Sequence, residues 1–135
     1  MEQKPPTPVA QTFLVCRETF QDVRTQQHIL IGPGVEFVTQ AYPWVAAAAV
    51  FVQVSSCHGL YRLEVRRQDL EGQVVWSQAL DKPLEARDPL TTYTITINVR
   101  LPIPRADKYD VVLLANGEEV GRRAFRAHLS PPSVG

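Results

Sequence analysis

Apolar and polar residues alternate with a period of two along several stretches of the chain, and this pattern predicts β-strands. The clearest example is TTYTITINVRL, where apolar residues from Tyr93 to Leu101 alternate with polar ones. LYRLEVRRQD alternates in the same way, with Tyr61, Leu63 and Val65 on one face. One face of each strand is therefore expected to lie in the core and the other in water.

Turn signals separate these stretches. Asn116-Gly117 stands between YDVVLLA and EVGRRAFRAHL, and this dipeptide tolerates the positive φ values of a tight hairpin. We therefore predict that the last two strands are antiparallel neighbours, with Phe125 and Leu129 facing the core. Gly72 predicts a second hairpin, and GPG at 32–34 excludes a helix there.

The run WVAAAAVFVQV is ambiguous. Its four alanines favour a helix, whereas VFVQV favours a strand. Pro43 and Gly59 bound the run, and we interpret it as a buried strand with a small-residue entry. Whether residues 46–50 begin as strand or helix stays open at this point.

The pattern as a whole predicts an all-β fold: a single antiparallel β-sandwich of immunoglobulin or C2-like architecture, with seven to nine strands and no major helix. The spacing of Cys16, Trp44 and Cys57 does not match the immunoglobulin hallmark. We expect one domain over residues 11–129, a flexible proline-rich tail at 1–10 and a second flexible tail at 130–135.

Charge and targeting signals narrow the class of partner. The chain has 14 basic and 14 acidic residues, and zero net charge argues against a dedicated nucleic-acid binder. It also gives little repulsion between molecules, which favours association with a partner or with itself. No signal peptide or membrane-spanning run is present, so we expect a cytoplasmic protein with free thiols at Cys16 and Cys57, and no membrane partner.

Motifs spread from Phe13 to Leu129 carry a resemblance to a known family. The chain resembles a family of short, uncharacterised bacterial proteins, filed as a domain of unknown function. That resemblance implies a β-sandwich in a cytoplasmic bacterial protein, and it carries no catalytic residues over. The motifs are FLVCRETFQDVRTQQHILIG, AYPW, YRLEVRRQDLEGQVVW and YDVVLLANGEEVGRRAFRAHL.

Candidate chemistry is sparse. Cys57-His58 is the one local pair that could be reactive, but neighbours on an extended chain point to opposite sides and no third group is evident. The cysteines and histidines have no zinc-ligand spacing, and the acidic pairs at 69–71 and 107–110 are typical of turns. We therefore expect no catalytic residue, no metal and no cofactor.

Arginines on the polar faces of the strands form the candidate partner-binding face. If those faces belong to one sheet, the arginines make a basic surface for an anionic partner. We favour the other interpretation, in which they keep exposed strands soluble. Interleaved glutamates and the lack of outward aromatic residues argue against single-stranded nucleic acid. The candidate residues are Arg62, Arg66, Arg100, Arg122 and Arg126.

The function that these observations favour is a non-catalytic interaction module that binds a protein partner or itself. The alternative is a ligand- or carbohydrate-binding module, which would require an exposed aromatic cluster around Tyr42 and Trp44. The missing catalytic set argues against an enzyme.

Overall fold

A computed structural model describes residues 5–31, 36–39, 41–69 and 71–129 of the chain. Within those residues the protein is all-β, with twelve strands and no helix. The predicted turn at 32–34 and tail at 130–135 lie outside the described residues. The strands are β1 (Val9–Cys16), β2 (Glu18–Gln21), β3 (His28–Ile31), β4 (Glu36–Thr39), β5 (Trp44–Ser55), β6 (Gly59–Tyr61), β7 (Leu63–Gln68), β8 (Val74–Ala79), β9 (Leu84–Ala86), β10 (Tyr93–Ile103), β11 (Asp107–Ala115) and β12 (Glu118–Leu129).

The strands form two larger sheets and two small ones. The first sheet has three antiparallel strands in the order β1-β5-β10, and the second has five in the order β4-β12-β11-β7-β8. β2 pairs with β3, and β6 pairs with β9. β5 lies at the centre of the three-stranded sheet over its whole length, so residues 46–50 are strand from the start.

The all-β class is confirmed, but the finer prediction of a single antiparallel sandwich with seven to nine strands is not. The described residues form twelve strands in four sheets. β4 also pairs parallel with β12, so the five-stranded sheet is mixed. Alternation along a strand shows which side chains are buried, but it carries no information on which strand lies alongside or in which direction.

Side chains from both larger sheets share one core. Ile97 and Val99 of β10 are buried as predicted, and their polar neighbours face outward. Val65 of β7 and Phe125 of β12 meet them from the five-stranded sheet. The side chain of Leu129 lies outside the described part of the chain. The period-two assignment of faces is therefore confirmed at these buried positions.

The turn between β11 and β12 has the predicted geometry. Asn116 and Gly117 have φ values of 51° and 82°, and the two strands pair antiparallel. The Asn116 side chain accepts a hydrogen bond from the Arg62 backbone N–H at 2.8 Å and donates one to the Leu60 carbonyl at 3.1 Å. The turn is thus fastened to the segment that joins β6 to β7.

The N-terminal segment contacts the body of the protein. The Tyr61 hydroxyl donates a hydrogen bond of 2.6 Å to the Pro6 carbonyl and accepts one of 3.0 Å from the His58 N–H. Pro8 is buried, and β1 already begins at Val9. Flexibility of residues 1–10 remains a prediction.

The β2–β3 hairpin covers part of the outer face of the three-stranded sheet. The rings of His28 and Phe51 meet edge to face with centroids 5.5 Å apart. Cys16, Ala49 and Phe51 are buried although they are not part of the central core.

Candidate binding groove

The predicted arginine face is divided between two sheets. Arg66 and Arg122 both lie opposite Val112 on the five-stranded sheet. Arg100, in contrast, belongs to β10 of the three-stranded sheet, and Arg62 lies in the break between β6 and β7. The outer faces of the strands therefore do not combine into a single basic surface, because the strands that carry them belong to different sheets.

Two of these arginines are neutralised by neighbouring acids. Arg66 binds Glu64 at 3.0 Å. Arg122 binds Asp110 at 2.8 Å and Glu119 at 2.7 Å. The hydrogen bonds to Glu119 and Asp110 raise the pKa of Arg122. These two arginines therefore offer little uncompensated charge to an anionic partner.

Arg126 is a different case. It lies directly opposite Lys108 of β11, which places two positive charges side by side on an exposed face. Neither side chain forms an ion pair in the described part of the chain. The role of the five arginines in partner binding remains a prediction. Arg126 lies between Lys108 on β11 and Glu36 on β4 in the register, and it forms no ion pair among the described residues.

A larger feature lies across the three-stranded sheet, where it meets the edge strand β8. It is an open groove of about 560 Å³. The register pairs Ala47 with Arg100 and Ala48 with Val99, and Arg17 follows the end of β1 on the other side of β5. The lining residues are Arg17, Glu18, Ala47, Ala48, Trp76, Gln78, Asn98, Val99 and Arg100.

The alanine run shapes this groove. Ala47 points outward from the central strand and is exposed. Because its side chain is a single methyl group, it leaves a low floor between the long side chains of Arg17 and Arg100. The same run that left the secondary structure ambiguous in the sequence therefore determines the depth of the groove.

The groove has a net positive charge and an aromatic wall. Neither Arg17 nor Arg100 forms an ion pair among the described residues, and Glu18 is the one acid in the lining. Trp76 is partly buried against the core and also lines the groove. Guanidinium groups suit phosphate or carboxylate, and an indole suits a planar ring. The arrangement is therefore suited to an anionic ligand with a planar group.

Sequence reasoning found Arg100 but missed Arg17 and Trp76. Trp76 lies on β8, where alternation points it to the core side, and only the proximity of β8 to β10 brings it to the groove. The signal for the groove that the sequence offered was the small residue Ala47 at an outward position of a long apolar strand. A methyl group at an outward position indicates a depression once its neighbours are known to be long.

The Cys57-His58 pair does not form a reactive site. Cys57 is fully buried, its thiol donates to the Ser55 carbonyl at 3.4 Å, and burial raises the pKa of the thiol. His58 is exposed and lines a second, smaller groove, in which Glu85 is paired with Arg87 at 3.1 Å. The nucleophile and the base therefore lie in different environments.

The acidic pairs bind backbone groups of their own turns. The Asp69 carboxylate accepts hydrogen bonds from the N–H groups of Glu71 and Gln73 at 3.0 and 2.9 Å. Asp107 accepts one from the Lys108 N–H, and that bond lowers the pKa of Asp107. Across the described residues, no three His, Cys, Asp or Glu side chains are grouped closely enough to hold a metal ion.

No family model matches the chain, and no curated protein matches it. Among solved structures, it is similar to the Pseudomonas fluorescens alkylpurine DNA glycosylase AlkC bound to DNA containing an abasic site analog. The two share 9% sequence identity, with a TM-score of 0.55 over 90% of this chain and 30% of that one. The chain thus spans about 30% of the length of the glycosylase. At this identity the likeness shows a shared fold.

Two sequence-based expectations are corrected by this likeness. The expectation that the chain is not an enzyme is wrong as a conclusion from fold and motifs, because a solved structure with this fold is a DNA glycosylase. The expectation that nucleic acid is an unlikely partner does not stand either, because a protein with this fold is bound to DNA. The premise that outward aromatic residues are lacking does not hold either, since the Phe20 side chain is 50% exposed. In the described residues no helix has the length and apolar character needed to cross a membrane.

Proposed function

We propose that the chain is a binding module that holds single-stranded nucleic acid in the groove across the three-stranded sheet. The observation that supports the proposal is that Arg17 and Arg100, neither of which forms an ion pair with an acid, line the same groove on the two sides of Ala47. Trp76 adds a surface on which a base can stack. The likeness to a DNA-bound glycosylase gives further support.

The charges of the groove limit the strength of this binding. With two uncompensated guanidinium groups, the logarithm of affinity should fall with the logarithm of salt concentration with a slope of about −1.4, since each neutralised phosphate of a single strand contributes about −0.7. Zero net charge adds no long-range attraction. We expect dissociation constants of about 10⁻⁴ to 10⁻⁶ M, the range of non-specific binding.

Fluorescence anisotropy with a labelled single-stranded oligonucleotide tests the proposal. The variant Arg17→Gln/Arg100→Gln should weaken binding at least tenfold and reduce the salt slope towards zero. The matched control is Lys108→Gln/Arg126→Gln, which removes the same charge from an exposed face of the other sheet. The control should change affinity less than twofold. An equal loss in both variants, or no binding by the wild type, would show that the groove is not the site.

Stacking can be tested separately at Trp76. The change Trp76→Leu keeps an apolar side chain at the edge of the core but removes the indole, and it should weaken binding by roughly 5- to 150-fold, equivalent to about 1–3 kcal/mol for one stacked base. Circular dichroism shows whether the variant keeps its fold. A folded variant with unchanged affinity would eliminate Trp76 as a stacking surface.

A second candidate is the interaction module predicted from the sequence, which binds a protein partner or itself. The supporting observation is an apolar surface on the β2–β3 hairpin. Phe20 and Ile29 are cross-strand neighbours with exposures of 50% and 47%, and Val23 at the tip is 86% exposed. Exposed apolar surface of this kind is typical of interfaces. Sedimentation analysis of the wild type against Phe20→Ser/Ile29→Ser tests self-association.

The carbohydrate-binding alternative has less support, because Tyr42 and Trp44 pack against the core. The immunoglobulin-like sandwich, the bacterial family and the cytoplasmic location are further proposals. They rest on the strand pattern and on the motifs from Phe13 to Leu129, whose resemblance implies a cytoplasmic bacterial protein.

A further inference from the structure

Arg67 is a charged side chain inside the protein. It lies on the core-facing side of β7, next in alternation to the fully buried Val65, and only 4% of its surface is exposed. Its guanidinium carbon is 4.7 Å from the centroid of the Tyr109 ring. No carboxylate binds it in the described part of the chain. The Asp69 carboxylate stabilises the charge of Arg67 without forming an ion pair with it. This buried guanidinium therefore lacks the direct acid partner that is usual for one.

The same region contains a second unsatisfied polar group. Both the Nε of Arg67 and the hydroxyl oxygen of Tyr42 are buried without a hydrogen-bond partner. Each interacts electrostatically with Tyr109, whose own hydroxyl already donates to the Arg105 carbonyl at 2.8 Å. The Nε of Arg67 can only donate, and the Tyr42 hydroxyl can donate as well as accept, so an acceptor group would satisfy both.

Arg67 also lies directly behind the groove. Its cross-strand neighbour on β8 is Trp76, the indole that lines the groove. Side chains opposite one another in an antiparallel pair are in contact range, so a movement of Trp76 would connect the groove with the guanidinium.

We propose that Arg67 and Tyr42 form a receptor for a phosphate group. Phosphate oxygens are acceptors, and an arginine fork binds two of them at once, which satisfies the donors that the fold leaves unmatched. The phosphate can be free in solution or can be the terminal phosphate of a strand held in the groove. The second source rests on the proposed function, and the first does not.

Thermal unfolding in inorganic phosphate tests the receptor by itself. Against sodium chloride at equal ionic strength, phosphate should raise the Tm of the wild type by several degrees and saturably, because it binds the folded state. Arg67→Met should abolish the rise, and Tyr42→Phe, which removes only a hydroxyl, should reduce it. Arg126→Gln, an exposed arginine, is the control and should leave it unchanged. If Arg67→Met does not fold, the comparison of the wild type with Tyr42→Phe decides the test.

Two outcomes overturn the receptor. If phosphate gives the wild type no saturable rise beyond that of chloride, the donors are satisfied by water and there is no anion site. If the rise is the same in Tyr42→Phe and Arg67→Met as in the wild type, phosphate binds elsewhere.

Oligonucleotides of one sequence with and without a terminal phosphate, at either end, distinguish the two sources. A terminal phosphate should tighten binding to the wild type about fivefold or more, and Arg67→Met should remove this preference, whereas Arg17→Gln/Arg100→Gln weakens both oligonucleotides. No preference in the wild type would restrict the receptor to free phosphate. An Arg67-dependent rise in Tm with no oligonucleotide binding would refute the proposed function and leave the receptor intact.

Discussion

Replacing Gly121 with alanine should push the two larger sheets apart where β1 approaches β12. A Cβ atom on Gly121 would lie 2.8 Å from Cδ2 and 3.3 Å from Cγ of the Phe13 ring. Carbon atoms normally approach to about 3.5 Å, so the ring has to move by about 0.7 Å. Gly121 also follows a register shift between β11 and β12, where glycine permits close approach.

The magnitude combines two opposing effects. Overpacking costs about 1–3 kcal/mol, and the smaller conformational freedom of alanine in the unfolded chain returns about 0.4–1 kcal/mol. We expect Gly121→Ala to lower the free energy of unfolding by about 1–2 kcal/mol. At about 4 °C per kcal/mol for a chain of this length, the Tm should fall by about 4–8 °C.

A double-mutant cycle of Gly121→Ala and Phe13→Leu, measured by urea denaturation, shows whether contact with the Phe13 ring causes the loss of stability. Leucine is smaller and more adaptable than the ring, so the double variant should be more stable than additivity predicts by about 1 kcal/mol. The control is Gly72→Ala. Gly72 has a φ of +79° and no heavy atom within 4 Å of the added Cβ. Its cost of about 1–2 kcal/mol is backbone strain and should add to that of Phe13→Leu. A Gly121→Ala variant that is as stable as the wild type, or that shows no coupling with Phe13→Leu, would refute the close approach of the sheets.

Three further predictions concern single sites. Ile97→Ala should lower the free energy of unfolding by about 2–5 kcal/mol, because only 4% of Ile97 is exposed. A loss below about half a kcal/mol in urea denaturation would contradict the core assignment. Asn116→Gly should keep the hairpin turn but lose the two side-chain hydrogen bonds to the β6–β7 segment, which costs about 1–3 kcal/mol by the same assay. Cys16 and Cys57 are buried free thiols, and burial raises the pKa of each. Iodoacetamide at pH 8 should therefore label both thiols rapidly only after the protein unfolds. Fast labelling of the native protein, detected by mass spectrometry, would disprove their burial.

Local pattern was sufficient to predict the strands and their buried faces. The alternation that places Ile97 and Val99 in the core depends only on the two-residue period of an extended chain. The Asn116-Gly117 turn depends only on two residues that accept positive φ. Both predictions hold because each is decided within a few residues.

The partners of the strands could not be predicted in this way. The parallel pairing of β4 with β12 joins segments about ninety positions apart in the sequence, and neither segment carries a mark of the other. For the same reason, the sequence did not show that Arg100 lies on a different sheet from Arg66 and Arg122, because all three have the same local pattern.

The sequence by itself determined that this chain is all-β, which residues face inward and where its tightest hairpin turns, since each of these follows from the geometry of neighbouring residues. The tertiary structure alone decided that Arg17, Trp76 and Arg100 line one groove and that Arg67 is buried beneath it without an acid partner. These side chains come from four different strands or their ends. Their proximity depends on the order and packing of the sheets, which is a property of the whole chain and leaves no signal in any one segment.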